Sequence, residues 1–260
     1  MPSEIAKHNL EKDKRVQGKD WFSTYGNYFA DEENIASFVQ TIKSHLPDKE
    51  LTILYAGSAS GLLGERLLSN LGKGSLTLVD MSQEHLNANT NPNTEKILGD
   101  LLELDLGRKF DLILMRSSLD YFPTRALQVQ VLKIIKSHLQ DGGVLINQPA
   151  YISDVHERDL ISGAYNAGDK IGKRLFQSTD IGSLYEAAGL EQPVKIGDGK
   201  IMYLTEKDHI KRYGLNPDDV AVIQGILKGA VQNAQVTKDG YSMKFEFPIF
   251  LARASEGNGQ

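Results

Sequence analysis

Five small residues, Gly57-Ser58-Ala59-Ser60-Gly61, follow directly after LTILYA (51–56), an apolar run of strand length. Small residues let a backbone turn sharply and let a ligand approach it closely, so this loop is a candidate binding loop. A helical pattern starts at Gly61, and the first turn of a helix presents free N–H groups. The pattern therefore predicts a strand, a ligand-accessible loop and a helix N-terminus in direct succession.

An acidic residue extends this pattern. Asp80 ends the second apolar run, SLTLVD (75–80), nineteen residues after Gly61. At the carboxyl edge of a parallel sheet, a carboxylate in this place can accept hydrogen bonds from both hydroxyls of a ribose. The alternative is a tight strand–helix turn in which Asp80 caps the helix predicted at 82–89. The loop, the acid and their spacing together favour a nucleoside-type ligand.

A second acidic residue follows the third apolar run. Gly99 ends this run, KILG (96–99), and Asp100 follows it on the same predicted sheet edge. The Asp100 carboxylate is suited to accept from the exocyclic amine of an adenine, with Leu101 and Leu102 beside the ring. By itself Asp100 would be taken as a loop or cap residue, so this assignment depends on its place next to Asp80.

The elements that must position these residues alternate regularly between about 50 and 150. Amphipathic helical stretches separate apolar runs at 51–56, 75–80, 96–99, 110–115 and 143–148. Near-continuous apolar strands with helical crossovers are typical of a parallel sheet that is covered on both faces. The sequence therefore predicts a doubly wound α/β core.

Beyond the core the pattern loosens, but individual elements can still be predicted. Glycine, proline and aspartate mark their ends. We expect helices near 154–162, 179–190 and 217–234, a hairpin formed by 193–197 and 200–205, and a final strand in which Pro248 marks an edge or a bulge.

Composition narrows the classes of partner. The chain has 260 residues and a formal net charge of −5, and no strongly basic run suggests a nucleic-acid-binding face. It has no cysteine, which excludes disulfides, Cys-ligated zinc and thiol nucleophiles. The N-terminus shows no signal-peptide pattern, and no apolar stretch is long enough for a membrane span. We expect a cytoplasmic protein with a small-molecule partner and no nucleic-acid or membrane partner, with a homodimer as one option.

The order of these motifs resembles the class I S-adenosylmethionine-dependent methyltransferases. The resemblance covers about 50–150 through the loop, the two acidic strand ends, FDLILMRSSLDYF and LQDGGVLI; TDIGSLYEAAGLEQPVKIG and PIFLAR extend it. It implies a mostly parallel, seven-stranded Rossmann-like sheet with an antiparallel last strand and helical insertions. The expected division is an N-terminal helical and aromatic lid at 1–48 and an α/β domain at 49–260, with insertions at about 151–178 and 206–240.

The resemblance also implies a cofactor, S-adenosylmethionine, and residues to hold it. Asp80 would bind the ribose, Met81, Asp100 and Leu101 the adenine, and Arg116 and Ser117 the amino acid end. Tyr25 or Tyr28 would close over the ligand from the lid. Gly57, Ser58, Ala59 and Gly61 would border the methionine and ribose portions. The family's first loop usually reads acid-x-Gly-x-Gly-x-Gly; here the acid position is Tyr55 and the middle glycine is Ala59.

Catalytic candidates should lie over the carboxyl edge of the sheet, in the 151–178 insertion. His156, Tyr151 and Tyr165 in this insertion are the first candidates for a general base, with His156 and Tyr151 preferred among them, and His209 comes next. The DVHE segment at 154–157 is interpreted as a solvated helix face, and no metal site is expected.

Two alternatives remain open from the sequence. Tyr55 in the acid position favours a protein of this fold that binds S-adenosylmethionine without methylating. The GSASGLLGERL segment also resembles short-chain dehydrogenases, whose Tyr-x-x-x-Lys pair would be needed for proton transfer. Lys170 follows Tyr165 by five residues, not the four that this pair requires.

Overall fold

The computed structural model describes residues 27–167 and 173–255, together with positions 4 and 7. Its described strands form one sheet of seven strands and one of three. Tyr25 and half of the expected lid at 1–48 lie outside the described residues. The strands are β1 (Thr52–Ala56), β2 (Ser75–Asp80), β3 (Glu95–Leu98), β4 (Phe110–Arg116), β5 (Leu139–Gln148), β6 (Val194–Asp198), β7 (Met202–Thr205), β8 (Ala234–Thr237), β9 (Gly240–Phe245) and β10 (Pro248–Arg253).

Helices connect the strands of the large sheet and pack on its faces. A 3-10 turn at Leu119–Tyr121 follows β4. The α-helices within the described residues are α1 (Asn27–Ala30), α2 (Glu32–Lys43), α3 (Leu62–Leu71), α4 (Gln83–Asn87), α5 (Arg125–Ser137), α6 (Val155–Asn166), α7 (Ile181–Ala187), α8 (Glu206–Tyr213) and α9 (Pro217–Leu227).

The large sheet has the order β3-β2-β1-β4-β5-β10-β6. Strands β1 to β5 are parallel, and β10 runs antiparallel between β5 and β6. The predicted fold class, including the antiparallel last strand, is confirmed. The strand order reverses between the parallel neighbours β1 and β4, which is the topological switch point of the sheet. Ligands of open α/β sheets bind at the carboxyl ends of the strands at such a point.

Two apolar layers, one on each face of this sheet, bury its central strands. One layer contains Phe38 of α2 and Leu67 of α3, packed with Ile53 of β1. The opposite layer contains Ile135 of α5 and Tyr185 of α7. Side-chain caps fix where the helices begin: Asp31 accepts from the backbone N–H of Asn34 at the start of α2, and Thr124 from that of Leu127 at the start of α5.

The small sheet has the order β7-β9-β8 and is antiparallel. The predicted hairpin of 193–197 and 200–205 is wrong: β6 pairs with β10 in the large sheet, whereas β7 pairs with β9 in the small one. Asp198-Gly199 therefore transfers the chain between sheets. The helix predicted at 217–234 is also too long, since α9 ends at Leu227 and β8 follows.

The position of Pro248 follows from the same topology. Its strand, β10, lies inside the large sheet, and the pairing with β6 shifts register between Ile249 and Phe250. Of the two expectations for Pro248, the irregular pairing is observed and the edge position is not. Proline lacks the N–H that a regular ladder needs, which explains its place at the first residue of the strand.

Candidate functional site

One cavity begins at the carboxyl ends of β1, β2, β3 and β4 and continues to the small sheet. We call its two parts the loop end and the aromatic end. The loop end is lined by residues that follow these strands: Gly57, Ser58, Ala59, Asp80, Met81, Asp100, Leu101, Arg116 and Ser117. The aromatic end is lined by Asp120, Tyr121, Phe122, Tyr165, Arg174, Phe176, Arg212, Phe245 and Phe247.

The small-residue loop turns through three left-handed residues. Gly57, Ala59 and Gly61 have φ angles of 69°, 48° and 75°. The N–H groups of Gly57 and Ser58 both donate to the carbonyl of Val79, at 2.9 and 3.0 Å. A Cβ atom at Gly57 would lie 2.6 Å from the Cβ of Ser118, so the close approach of the β1 and β4 loops requires glycine there.

Asp80 closes this loop from the end of β2. Its carboxylate accepts from the backbone N–H of Ala59 at 2.7 Å and from that of Ser82 at 2.9 Å. The ring Nδ1 of His85 lies 3.4 Å from Oδ1. A carboxylate can accept about four hydrogen bonds. Asp80 therefore shapes the loop and still has acceptor capacity toward the cavity that it lines.

The β3 loop lies next to Asp80. The N–H of Gly99 donates to the Asp80 carbonyl at 3.0 Å, and Asp100 Oδ1 accepts from the N–H of Leu102 at 3.0 Å. Met81, Asp100 and Leu101 line the cavity together. The predicted adenine residues are thus brought to the same wall as the predicted ribose residue.

The end of β4 supplies a cation and an unusual serine. Arg116 donates through Nε to Gln148 Oε1 at 2.8 Å and through Nη1 to the Phe29 carbonyl at 3.1 Å. Burial lowers the pKa of Arg116 from its ordinary value. Ser117 is left-handed, with φ 47°, and its buried Oγ has no hydrogen-bond partner among the described residues. That hydroxyl is an orphan of the kind that a bound ligand satisfies.

Tyr55 also lines the loop end, in the place where the resemblance expects an acid. The side chain is buried, and burial raises its pKa to about 12. The phenol is therefore neutral at physiological pH. It can donate or accept one hydrogen bond but cannot supply the negative charge of a carboxylate.

The two first-ranked catalytic candidates are not among the residues that line the cavity. His156 is exposed on α6. Tyr151 is half-buried, bridges Gln177 and Glu246 through its backbone and packs on Phe250 with ring centroids 6.1 Å apart. Of the two further candidates, Tyr165 does line the aromatic end. His209 is fully buried behind it, with Nδ1 2.7 Å from the Tyr241 hydroxyl.

The sequence interpretation missed most of the aromatic end. Asp120 could have been found, because it follows the β4 strand and so lies at the carboxyl edge. Arg174 had no such signal, since it lies in a polar segment without a motif. The DVHE segment is explained by packing: Asp154 caps α6, and Glu157 accepts from the N–H groups of Gln232 and Asn233, both at 2.8 Å.

No cluster of three or more His, Asp or Glu side chains among the described residues could hold a metal ion. Nor does any helix in the described part of the chain have the length and apolar character needed to cross a membrane.

Comparison with known proteins places this site in context. Residues 54–145 match the family model described as "Methyltransferase domain". A curated protein of Priestia megaterium, malonyl-[acyl-carrier protein] O-methyltransferase, is 26% identical over 129 residues, which are 48% of this chain. The match spans 46%, about half, of that relative's length.

Solved structures show the same fold at low sequence identity. The YcgJ protein from Bacillus subtilis has a TM-score of 0.69 at 14% identity, over 86% of this chain and 99% of its own. Magnesium protoporphyrin IX methyltransferase from Synechocystis, with S-adenosylhomocysteine bound, has a TM-score of 0.55 at 12% identity, over 94% of this chain and 99% of its own. At these identities the similarities establish the fold alone, so the chemistry of the site has to be inferred from its residues.

Proposed function

Because this chain carries a methyltransferase domain of class I fold, we propose that it is an S-adenosylmethionine-dependent methyltransferase that acts on a small molecule. The observation that carries the proposal is the continuity of the cavity. It joins the cofactor motifs of the loop end to an aromatic end whose apolar lining is suited to an acceptor. The O-methyltransferase relative is in keeping with this class of reaction.

The residues at the loop end fit the proposed cofactor. Asp80 has acceptor capacity for the ribose hydroxyls, and Asp100 with Met81 and Leu101 would hold the adenine. The orphaned Ser117 hydroxyl and the Arg116 guanidinium would hold the amino acid end. The left-handed Gly57 removes the side chain that would otherwise fill this wall.

Bound S-adenosylmethionine would supply an electrophilic methyl group. The protein's own contribution is to hold the acceptor in line with that group and to exclude water. Phe176, Phe245 and Phe247 give the aromatic end an apolar wall for this purpose. Tyr165 is better placed than His156 or Tyr151 to contact an acceptor, because it lines the cavity and they do not. A role for His156 or Tyr151 stays a prediction from the sequence.

One specific observation favours a second candidate, a protein that binds the cofactor without transferring its methyl group. Tyr55 places a neutral phenol where the family has an acid. The dehydrogenase alternative has no such support, since an antiparallel strand lies between β5 and β6 and a dinucleotide-binding sheet runs in the order 3-2-1-4-5-6.

Calorimetric titration with S-adenosylmethionine, S-adenosylhomocysteine and NADP tests the ligand. We expect binding of the first two and none of NADP. Transfer of labelled methyl groups to a panel of small metabolites then tests the activity. Binding without transfer to any acceptor would favour the non-methylating candidate, and NADP binding alone would contradict both.

Three further properties belong to the proposal. We propose a cytoplasmic location, a small-molecule partner in place of nucleic acid or membrane, and a homodimer as the state to check first by light scattering.

A further inference from the structure

A buried arginine at the aromatic end has donors that the protein does not use. Arg174 is only 6% exposed and lines the cavity. Its Nη1 donates to Oδ2 of the fully buried Asp120 at 2.5 Å. Its Nε and Nη2 are buried and have no hydrogen-bond partner among the described residues.

These two nitrogens share one edge of the planar guanidinium. Their N–H bonds run nearly parallel, in the geometry that matches the two oxygens of a carboxylate. Leaving buried charged donors unpaired is costly, so native proteins rarely do so without a reason. Arg174 lines the cavity, so an edge of this kind is suited to an anionic group of a ligand bound there.

Arg174 remains charged in this environment. Burial acts to lower its pKa, but Tyr121, Tyr213, Asp120 and Tyr165 around it hold the pKa above its ordinary value. The guanidinium carbon lies 3.8 Å from the centre of the Tyr121 ring, a stacking distance. Asp120 pairs with the cation through Nη1, while the Nε–Nη2 edge has no partner among the described residues.

The protein also fixes the position of Arg174. Its backbone N–H donates to Asn166 Oδ1 at 2.7 Å, and its carbonyl accepts from Asn166 Nδ2 at 3.0 Å. The next residue, Leu175, donates its N–H to the Asp120 carbonyl at 3.0 Å. Asp120 and Tyr121 belong to the same post-β4 segment as Ser117, so the arginine is anchored to the loop that borders the proposed cofactor.

We propose that the methyl acceptor carries a carboxylate, and that this carboxylate binds the Nε–Nη2 edge of Arg174 while an apolar or aromatic body packs on Phe176 and Phe245. This inference rests on the proposed function, because it names the class of acceptor for that site. Arg174 is then a substrate-binding residue that selects acceptors by charge and shape.

A second buried arginine shows what a structural arginine looks like in the same protein. Arg158 on α6 is 5% exposed, almost the same as Arg174. It donates through Nε to Asp159 and through Nη1 and Nη2 to Asp180, so each of its nitrogens has a carboxylate partner. It does not line the cavity. Arg158 is therefore a matched control for burial and charge.

The experiment measures binding of acid and amide pairs to the enzyme saturated with S-adenosylhomocysteine. The probes are benzoate, phenylacetate and 3-phenylpropanoate, each with its primary amide, and benzyl phosphate as a dianionic probe. At least one acid is expected to bind about ten-fold or more tightly than its amide, as hydrogen bonds to a charged group imply. Arg174→Gln should reduce that ratio to about one, while Arg158→Gln should leave it unchanged.

Removal of Arg174 alone leaves Asp120 buried without its cation and can unfold the chain. The double variant Arg174→Gln/Asp120→Asn removes both charges and keeps the measurement possible. It should still bind S-adenosylhomocysteine and lose the preference for acids. Equal binding of acids and amides, no binding of any acid, or tighter binding of benzyl phosphate would overturn the carboxylate assignment. Failure of S-adenosylhomocysteine to bind the native protein would instead overturn the proposed function.

Discussion

The loop end and the aromatic end of the cavity are built in different ways. At the loop end, the chain contributes one short segment after each parallel strand, and backbone groups hold the segments together, as where Ala59 donates to Asp80. At the aromatic end, side chains come from α6, the segment at 173–178, α8 and β9, and an ion pair between Arg174 and Asp120 ties the 173–178 segment to the turn that follows β4. The fold itself dictates the arrangement of the loop end. The arrangement of the aromatic end depends on individual side chains and can therefore be specific to one ligand.

The largest expected effect tests the loop end. Asp80→Ala removes the acceptor for the Ala59 and Ser82 N–H groups and the proposed acceptor for the ribose hydroxyls. We expect the dissociation constant for S-adenosylhomocysteine to rise about 100-fold, since hydrogen bonds to a charged group contribute about 1.5–3 kcal/mol each. Calorimetric titration measures this.

Asp111→Ala is a control, because Asp111 binds Thr52 and Lys49 away from the cavity. A thermal melt of each variant shows whether the fold is retained. Unchanged affinity in a folded Asp80→Ala protein would mean that the ribose is held elsewhere or that the ligand is wrong.

The second prediction separates backbone strain from close approach at the loop end. Gly57→Ala meets both a φ of 69° and the Cβ of Ser118 at 2.6 Å, whereas Gly142→Ala meets a φ of 75° with nothing within 4 Å. Strain alone should cost about 1 kcal/mol at Gly142. Gly57→Ala should cost at least about 1 kcal/mol more, because an overpacked site adds about 1–3 kcal/mol.

Urea denaturation of both variants measures the difference, and titration with S-adenosylhomocysteine should show weaker binding only for Gly57→Ala. If both variants lose the same stability and neither loses affinity, the close approach of the β1 and β4 loops has no role in the site.

The contrast between the two ends also explains what the sequence could predict. Gly57, Asp80 and Asp100 each follow a strand of a parallel sheet, and a parallel sheet brings such positions to one edge whatever the other residues are. Local patterns were therefore enough to group them. Arg174 and Phe245 are about 70 residues apart and line the same cavity because the chain passes from the large sheet into a second sheet, in which β7 pairs with β9. The turn signal of Asp198-Gly199 is equally compatible with a hairpin and with a transfer between sheets, so local chemistry could not decide the topology that builds the aromatic end.

The third prediction concerns pH and the aromatic end. His209 is fully buried against Tyr165, with ring centroids 4.8 Å apart, and burial, with help from the charges of Arg212 and Arg174, lowers its pKa to about 3. The unfolded chain has a histidine pKa of about 6.5 and therefore binds the proton more readily. Stability should fall as the pH falls below about 6.5, by about 2 kcal/mol at pH 5 from this group alone.

Urea denaturation of the native protein and of His209→Gln between pH 7.5 and pH 5 isolates this contribution. The glutamine variant should lose less stability over that interval. His45→Gln is the control, because His45 is exposed and lies far in sequence from His209. Parallel pH curves for all three proteins would show that burial does not lower the pKa of His209 in the folded protein.

The smallest expected effect separates the two carboxylates of the loop end. Asp100 accepts a local hydrogen bond from Leu102 and is less buried than Asp80, so water competes for its side chain. Asp100→Ala should therefore raise the dissociation constant for S-adenosylhomocysteine only about five-fold, as a single exposed hydrogen bond of about 1 kcal/mol implies. Titration with the inosine analogue, which lacks the adenine amine, sharpens the test: the native protein should lose affinity for it, and Asp100→Ala should bind both ligands alike. A preference for the adenine ligand that survives in Asp100→Ala would assign adenine recognition to backbone groups of the β3 loop, and Asp80 would then be the one of these two carboxylates that recognises the ligand through its side chain.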